Sequence, residues 1–445
     1  MTLLEKKGQK KKTLINLATV NYFKALIFIF LIGQISAQES QSILLLNGYL
    51  HIGNGEVIES GLVGIKNRKI ELVRNSLAYT YNKEEWDTII DLQGQHIYPA
   101  FIAPNSTLGL TEIDAVRATR DFDEVGDYNP HIRSQIAFNV ESKVISTVRT
   151  NGVLLAQATP RGGDISGTSS IMALDGWNWE DATVLQDDGI HLNWPVSASE
   201  SGTSDEVSKT NKKENYLKAK RAIYQFFEMS KRYTNASEKD QNDVRLDAMI
   251  ACFKGEKRVY IHANELQQLQ DIIDFSIHFN LPFPVIVGGY DSHLVTKKLK
   301  DANIPVMLVR THSLPQNEED AVDFPYHLPA MLQEAGVKFC LQNEGAMETM
   351  NARNLPFQAG TAMAYGMTEE QAIRSISLST CEIVGIDKEY GSIEEGKSAT
   401  LFVSQGNALD MRTNHVNVAI IRGVFMPTSN FQRELYEKYM RKYKK

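Results

Sequence analysis

Tyr98–Leu110, YPAFIAPNSTLGL, is the stretch on which the fold turns. An apolar run ends there in the small polar residues Asn105, Ser106 and Thr107, just before Gly109. On its N-terminal side, from about Ser42, short apolar segments are broken by Gly, Asn and Asp: ILLLNGYLHIG, GLVGIKNRKIELVRN and WDTIIDLQGQHIYPAFI. These read as strands of a small antiparallel β unit. After Pro99 the character changes. Buried-strand patterns (GVLLAQATP, KRVYIHA, FPVIVGG, IPVMLVR, VKFCLQ) alternate with amphipathic helical ones such as ESKVISTVRTN, ELQQLQDIIDFSIHFN and HLPAMLQEAG.

Repeated strand–helix units imply a parallel sheet. Residues 99–385 have the length of a (β/α)8 barrel with insertions. A doubly wound open sheet is the alternative, although no Gly-rich phosphate loop accompanies it. Beyond Gly385 the strand pattern returns in YGSIEEGKSATLFVSQG and HVNVAIIRGVFM, which fit as additions to the first β unit. The chain then divides into residues 1–37, a first β segment 38–98, the barrel 99–385, and a second β segment with a terminal surface helix, 386–445. The polar stretch Glu200–Asn215, ESGTSDEVSKTNKKEN, reads as an exposed loop.

Residues 1–37 carry six Lys ahead of or beside the apolar run ALIFIFLIG, followed by the small residue Ala37. A basic region, a short apolar run and a small-residue exit read as a secretory signal, which predicts a periplasmic or secreted protein. The apolar run is short for a membrane span; an uncleaved N-terminal anchor is the other reading. The segment takes six Lys and one Glu with it, leaving 41 basic and 53 acidic residues and a formal charge of −12 against −7 for the whole chain. That balance argues against nucleic acid as a partner. Three cysteines, Cys252, Cys340 and Cys381, are too few for a disulfide framework and read as small buried apolar residues.

Three segments carry a resemblance: YPAFIAPNSTLGL, NARNLPFQAGTAMAYGMTEEQAIRSISLSTCEIVGI and GSIEEGKSATLFV. Together they resemble the amidohydrolase superfamily, on the side of its imidazolonepropionase-like branch, over most of the chain from Ile43 to Met426. The resemblance implies a distorted (β/α)8 barrel with a small β-sandwich built from both chain ends. It also implies hydrolysis of amide and other non-peptide C–N bonds, often in cyclic substrates, with one or two divalent metals such as zinc.

The same resemblance locates the ligands, and most are replaced. Asn105 and Thr107 stand where the first strand carries two histidines, and Ala103 where it carries an acid. His262, in VYIHA, matches a later histidine; Gly288 and Gly289 stand where the next is found. Gln342 and Asn343 occupy the place of a late aspartate, with Glu344 adjacent. Neutral amide and hydroxyl oxygens are poor zinc donors beside imidazole or carboxylate. A water without a bound metal stays a weak nucleophile at neutral pH. No resident cofactor is therefore expected.

Candidate catalytic residues are His262 and Glu344, the latter only if its strand presents it inward. The other reading of His262 is a histidine satisfied by hydrogen bonds in the barrel mouth. Arg161, in TPRGGDISGTSS after a barrel strand, His312 in VRTHSLP and Arg353 in NARNLP are candidate ligand-binding residues. The cluster Arg117, Arg120, Asp121, Asp123 and Glu124 reads either as pocket lining or as a salt-bridged rim. Three functions follow. One is a non-catalytic binding protein for a small molecule or partner of an active homologous subunit. Another is a hydrolase with a remodelled site acting on amides or cyclic amides. The last is an envelope-associated scaffold.

Overall fold

The structure is a computed structural model, and it describes residues 41–196, 206–236 and 242–443. The expected signal segment lies outside the described residues. Ser42–Lys445 form one compact unit containing two eight-stranded sheets.

The first sheet begins with β1 (Ile43–His51), β2 (Val57–Lys66), β3 (Lys69–Asn75), β4 (Thr88–Asp91) and β5 (His96–Pro99). β1 pairs antiparallel with β2, and its two halves pair parallel with β4 and β5 in turn. Splitting one strand between two partners bends the sheet around the apolar cluster of Ile43, Leu45, Val63, Ile97, Leu401 and Ile420.

The barrel follows: β6 (Phe101–Ser106), β7 (Val153–Ala158), β8 (Ile165–Ala173), β9 (Thr183–Asn193), β10 (Arg258–Ala263), β11 (Pro284–Gly288), β12 (Val306–Leu308) and β13 (Phe339–Leu341). They lie in sequence order across the sheet. Seven run parallel, and β8 alone is reversed, pairing antiparallel with β7 and β9. The barrel is distorted for that reason. Ser, Thr and Gly in ISGTSS resemble a loop, but β8 is buried along its whole length, with Ser169 Oγ bonded to Asp188 of β9 and Thr168 Oγ1 to Pro130 O. No backbone ladder joins β13 to β6 among the described residues; side chains at the strand tips span that seam.

The chain returns to the first sheet through β14 (Leu401–Ser404), β15 (Val416–Ile421) and β16 (Val424–Met426), with β14 antiparallel to β5. Stacking of Tyr98 on Phe402 and the edge contact of Phe101 with Phe402 bind sheet to barrel where β6 begins. A helix at Phe431–Tyr443 ends the described chain.

One expectation is corrected. Glu206–Asn235 is a single helix, so the stretch expected to be a loop is helical from Glu206 onward. Tertiary contact outweighs composition here: further along, Tyr216, Ile223 and Phe227 are buried, and the helix packs against Val244–Lys254. No described helix is long and apolar enough to cross a membrane.

Candidate functional site

Functional residues of a parallel barrel gather at the C-terminal tips of its strands. Here the tips bring Asn105 and Thr107 (β6), Arg161 (after β7), His191 (β9), His262 (β10), Gly288 (β11) and Gln342 (after β13) to one end of the sheet.

Asn105 is fully buried, with φ +50°. Asparagine tolerates this left-handed conformation better than most residues. Its Nδ2 donates to Gln342 Oε1 at 2.6 Å, and its backbone N–H donates to Gln157 Oε1 at 2.9 Å. Arg161 grips it twice: Nη2 donates to its carbonyl oxygen at 2.7 Å and Nη1 to its side-chain oxygen. Arg161 is itself set by a turn, since its N–H bonds Phe122 O at 2.7 Å and both Gly162 and Gly163 have positive φ. A Cβ at Gly163 would lie 2.7 Å from Gly126 O, so only glycine lets this loop pack.

Thr107 is committed elsewhere. Its N–H and Oγ1 donate to Glu348 Oε2 at 2.8 and 2.9 Å, and Oγ1 lies 2.6 Å from Thr349 Oγ1. Burial raises the Glu348 carboxyl above the usual range, opposed by the charge of Arg161 and by these hydrogen bonds. Gly288 has φ +104°, and a Cβ there would stand 2.8 Å from Ala263 O. The β11 tip is therefore closed to any side-chain ligand.

His262 is half-buried. Its Nε2 lies 2.9 Å from His191 Nδ1, and His191 Nε2 lies 2.9 Å from Ser169 Oγ. Burial, then the charge of Arg161, holds the His262 imidazole well below the usual histidine pKa. Ser169 Oγ donates to Asp188 Oδ1 at 2.7 Å; Gln157 Nε2 donates to Asp188 Oδ2 at 2.8 Å, and Tyr260 OH donates to the same oxygen. Burial raises the Asp188 carboxyl against those donors.

Gln342, rather than Asn343, reaches the mouth from β13. The Asn343 side chain turns to Gln358 of the helix Leu355–Ala364 and to Glu348 O, whereas Gln342 meets Asn105. Glu344 is half-buried and accepts from Gln342 Nε2 at 3.0 Å, which places its carboxylate one residue from Asn105. Two sequence candidates are outside this network. His312 is exposed and bonds Thr361 Oγ1 at 2.7 Å. Arg353 is exposed, and its carbonyl accepts from Asn151 Nδ2 at 2.8 Å. Asp121, Asp123 and Glu124 line a recess of about 470 Å³ with His131, Arg133 and Pro160, beside the Arg161 turn.

Sequence reasoning missed His191, Asp188, Tyr260, Gln157 and Glu348. The run GIHLNW, apolar around a histidine and closed by Trp194, was the one signal for β9.

These residues do not fit a divalent metal. The positions implied as ligands present an amide, a hydroxyl and a glycine, and the amide oxygen is already held by a guanidinium. His262 Nε2 is occupied by His191. Among the described residues no three His, Cys, Asp or Glu side chains converge in a way that could hold a metal ion. The fixed charge of Arg161 opposes one further, because like charges in a partly buried site repel.

Residues 241–426 match the family model described as the amidohydrolase family. A curated relative, amidohydrolase tasK of Hapsidospora irregularis, is 21% identical over 181 residues, 40% of this chain. The alignment spans only 18% of that relative's length. Among solved structures, an amidohydrolase from Thermotoga maritima MSB8 covers 86% of this chain and 99% of its own, with TM-score 0.69 and 21% identity. A Xaa-Pro dipeptidase with methionine bound in its active site covers 86% and 99% at TM-score 0.52 and 14% identity.

Proposed function

We propose that this chain, which matches the amidohydrolase family model over residues 241–426 and shares the fold of solved amidohydrolases, is a metal-independent, non-catalytic binding protein whose barrel mouth takes a small molecule. The observation that carries this reading is the pair of hydrogen bonds that Arg161 donates to Asn105. A fixed organic cation sits at the strand tip where the superfamily resemblance implies metal ligands. It cannot polarise a water as a divalent ion does. Thr107 and Gly288 support the same reading, one bound to Glu348 and the other without a side chain.

Metal content tests it. Protein purified without chelator and with zinc in the medium is measured by mass spectrometry, and its melting temperature is compared with and without chelator. The expected result is substoichiometric metal and an unchanged melt. Near-stoichiometric zinc, or a chelator-dependent melt, overturns the proposal.

A second reading, a metal-free hydrolase on amides or cyclic amides, is favoured by one observation: His262 is an imidazole held by a hydrogen bond to His191 at 2.9 Å. Amide turnover abolished by His262→Ala would establish it. The order of residues 1–37 supports export. Cell fractionation checks that: protein confined to the cytoplasm rules it out.

A further inference from the structure

We propose that Asp188, Ser169 and His191 form a buried relay that fixes His262 in one neutral tautomer, with Nε2 protonated and a bare Nδ1 that accepts a hydrogen bond from a neutral N–H or O–H ligand. The argument starts at Asp188, a buried carboxyl met by three donors. Gln157 cannot turn its oxygen toward Asp188, because that oxygen accepts the Asn105 N–H. Ser169 Oγ has two acceptors in reach, Asp188 Oδ1 at 2.7 Å and Gly189 O at 3.2 Å, and its single hydrogen serves them, so its oxygen is left to accept. His191 Nε2, 2.9 Å away, must then carry the hydrogen. A neutral imidazole has one N–H, so His191 Nδ1 is an acceptor. The facing His262 Nε2 must donate across 2.9 Å.

The same rule leaves His262 Nδ1 without hydrogen. It meets no hydrogen-bonding partner among the described residues, and His262 is half-buried rather than sealed. His191 stacks on Tyr260 at 4.7 Å and 18°, which holds the ring plane that the relay requires. Neither imidazole has a carboxylate within hydrogen-bonding distance among the described residues, so a second proton on either ring would have no counter-charge. Ser169 and Asp188 are thus positioning residues: they act on a ligand through His191 and His262. The adjoining Arg161 cation disfavours an ammonium group at the same place, which leaves neutral amides, lactams and alcohols. This ligand class rests on the metal-free reading above; the tautomer does not.

Nitrogen-15 NMR of histidine-labelled protein reads the relay directly. His262→Asn assigns the signals. The expected spectrum has a pyridine-type Nδ1 and a pyrrole-type Nε2 for His262 in wild type. Ser169→Thr, which keeps the hydroxyl, preserves it; Ser169→Ala yields a mixture of tautomers. A pyrrole-type Nδ1 in wild type overturns the relay whether or not either variant folds. So does Ser169→Ala with an unchanged spectrum. 2-Pyrrolidinone, with one N–H, is expected to shift the Nδ1 signal, and N-methylpyrrolidinone is not. Equal shifts, or none from either, overturn the ligand class. Metal measured on the same sample separates the two failures: bound zinc defeats the metal-free reading, whereas a wrong tautomer in metal-free protein defeats the relay alone.

Discussion

Arg161 spans Asn105 like a fork, with Nη2 on its backbone oxygen at 2.7 Å and Nη1 on its side-chain oxygen. The two residues are 56 positions apart and come from the tips of adjacent strands. Two nitrogens in one rigid plane meet two oxygens of one residue, and the geometry needs both.

Arg161→Ala leaves two oxygens of a buried residue without donors and removes a cation beside Glu348. A loss of about 1–3 kcal/mol in unfolding free energy is expected. Arg161→Lys should restore only part of it, because an ammonium cannot reproduce the planar fork. Urea denaturation measures both. A lysine variant as stable as wild type would remove the case for two-point recognition.

Placing histidines at the β6 tip should not create a metal site. In Asn105→His/Thr107→His the cation of Arg161 remains, the β11 tip still has no room for a side chain, and His262 Nε2 still faces His191. Titration calorimetry with zinc chloride is expected to show no tight site. Zinc retained through exhaustive dialysis would prove the remaining donors sufficient.

Glu348 gives stability a pH dependence of defined sign. Burial raises its folded pKa above the ordinary 4.5, so the folded chain holds that proton more tightly than the unfolded chain. Its contribution is full below the ordinary value and is lost as pH rises through the folded one. Wild type should therefore lose stability relative to Glu348→Gln as pH rises above the ordinary carboxyl value of 4.5. Urea midpoints across that range decide it; a difference that is flat or grows with pH refutes the assignment.

All three cysteines are buried and free, and burial pushes the thiols of Cys252 and Cys340 up to about 12 and holds that of Cys381 well above its ordinary value. Thiolate is the reactive form. Native protein should therefore react negligibly with DTNB, while protein in guanidinium should release three equivalents. A fast-reacting thiol in the native state would place one of the three at the surface.

Much of this was legible beforehand, because it is carried by local pattern. Period and length separate VYIHA and VIVGG as buried strands from ELQQLQDIIDFSIHF as a helix. The change of pattern at Pro99 and its return past Gly385 are visible in the same way. That Asn105, Thr107 and Gly288 carry no imidazole needs only residue identity. β8 escaped notice because its hydroxyls and glycine mimic a loop until residues distant in sequence, such as Asp188 and Pro130, satisfy them.

The amino-acid order alone determined which groups exist at the strand tips, and hence that strong metal donors are scarce there. Only the tertiary structure decided what the substitutes do. Thr107 and Glu348 are 241 residues apart, and Arg161 and Asn105 belong to different strands. Whether Gln342 or Asn343 faces inward depends on the backbone just beyond β13, where one residue reverses the side chain. Periodicity reports a residue's own face; it carries no record of the partner brought to it by folding, and hydrogen bonds between distant residues are made only by that meeting.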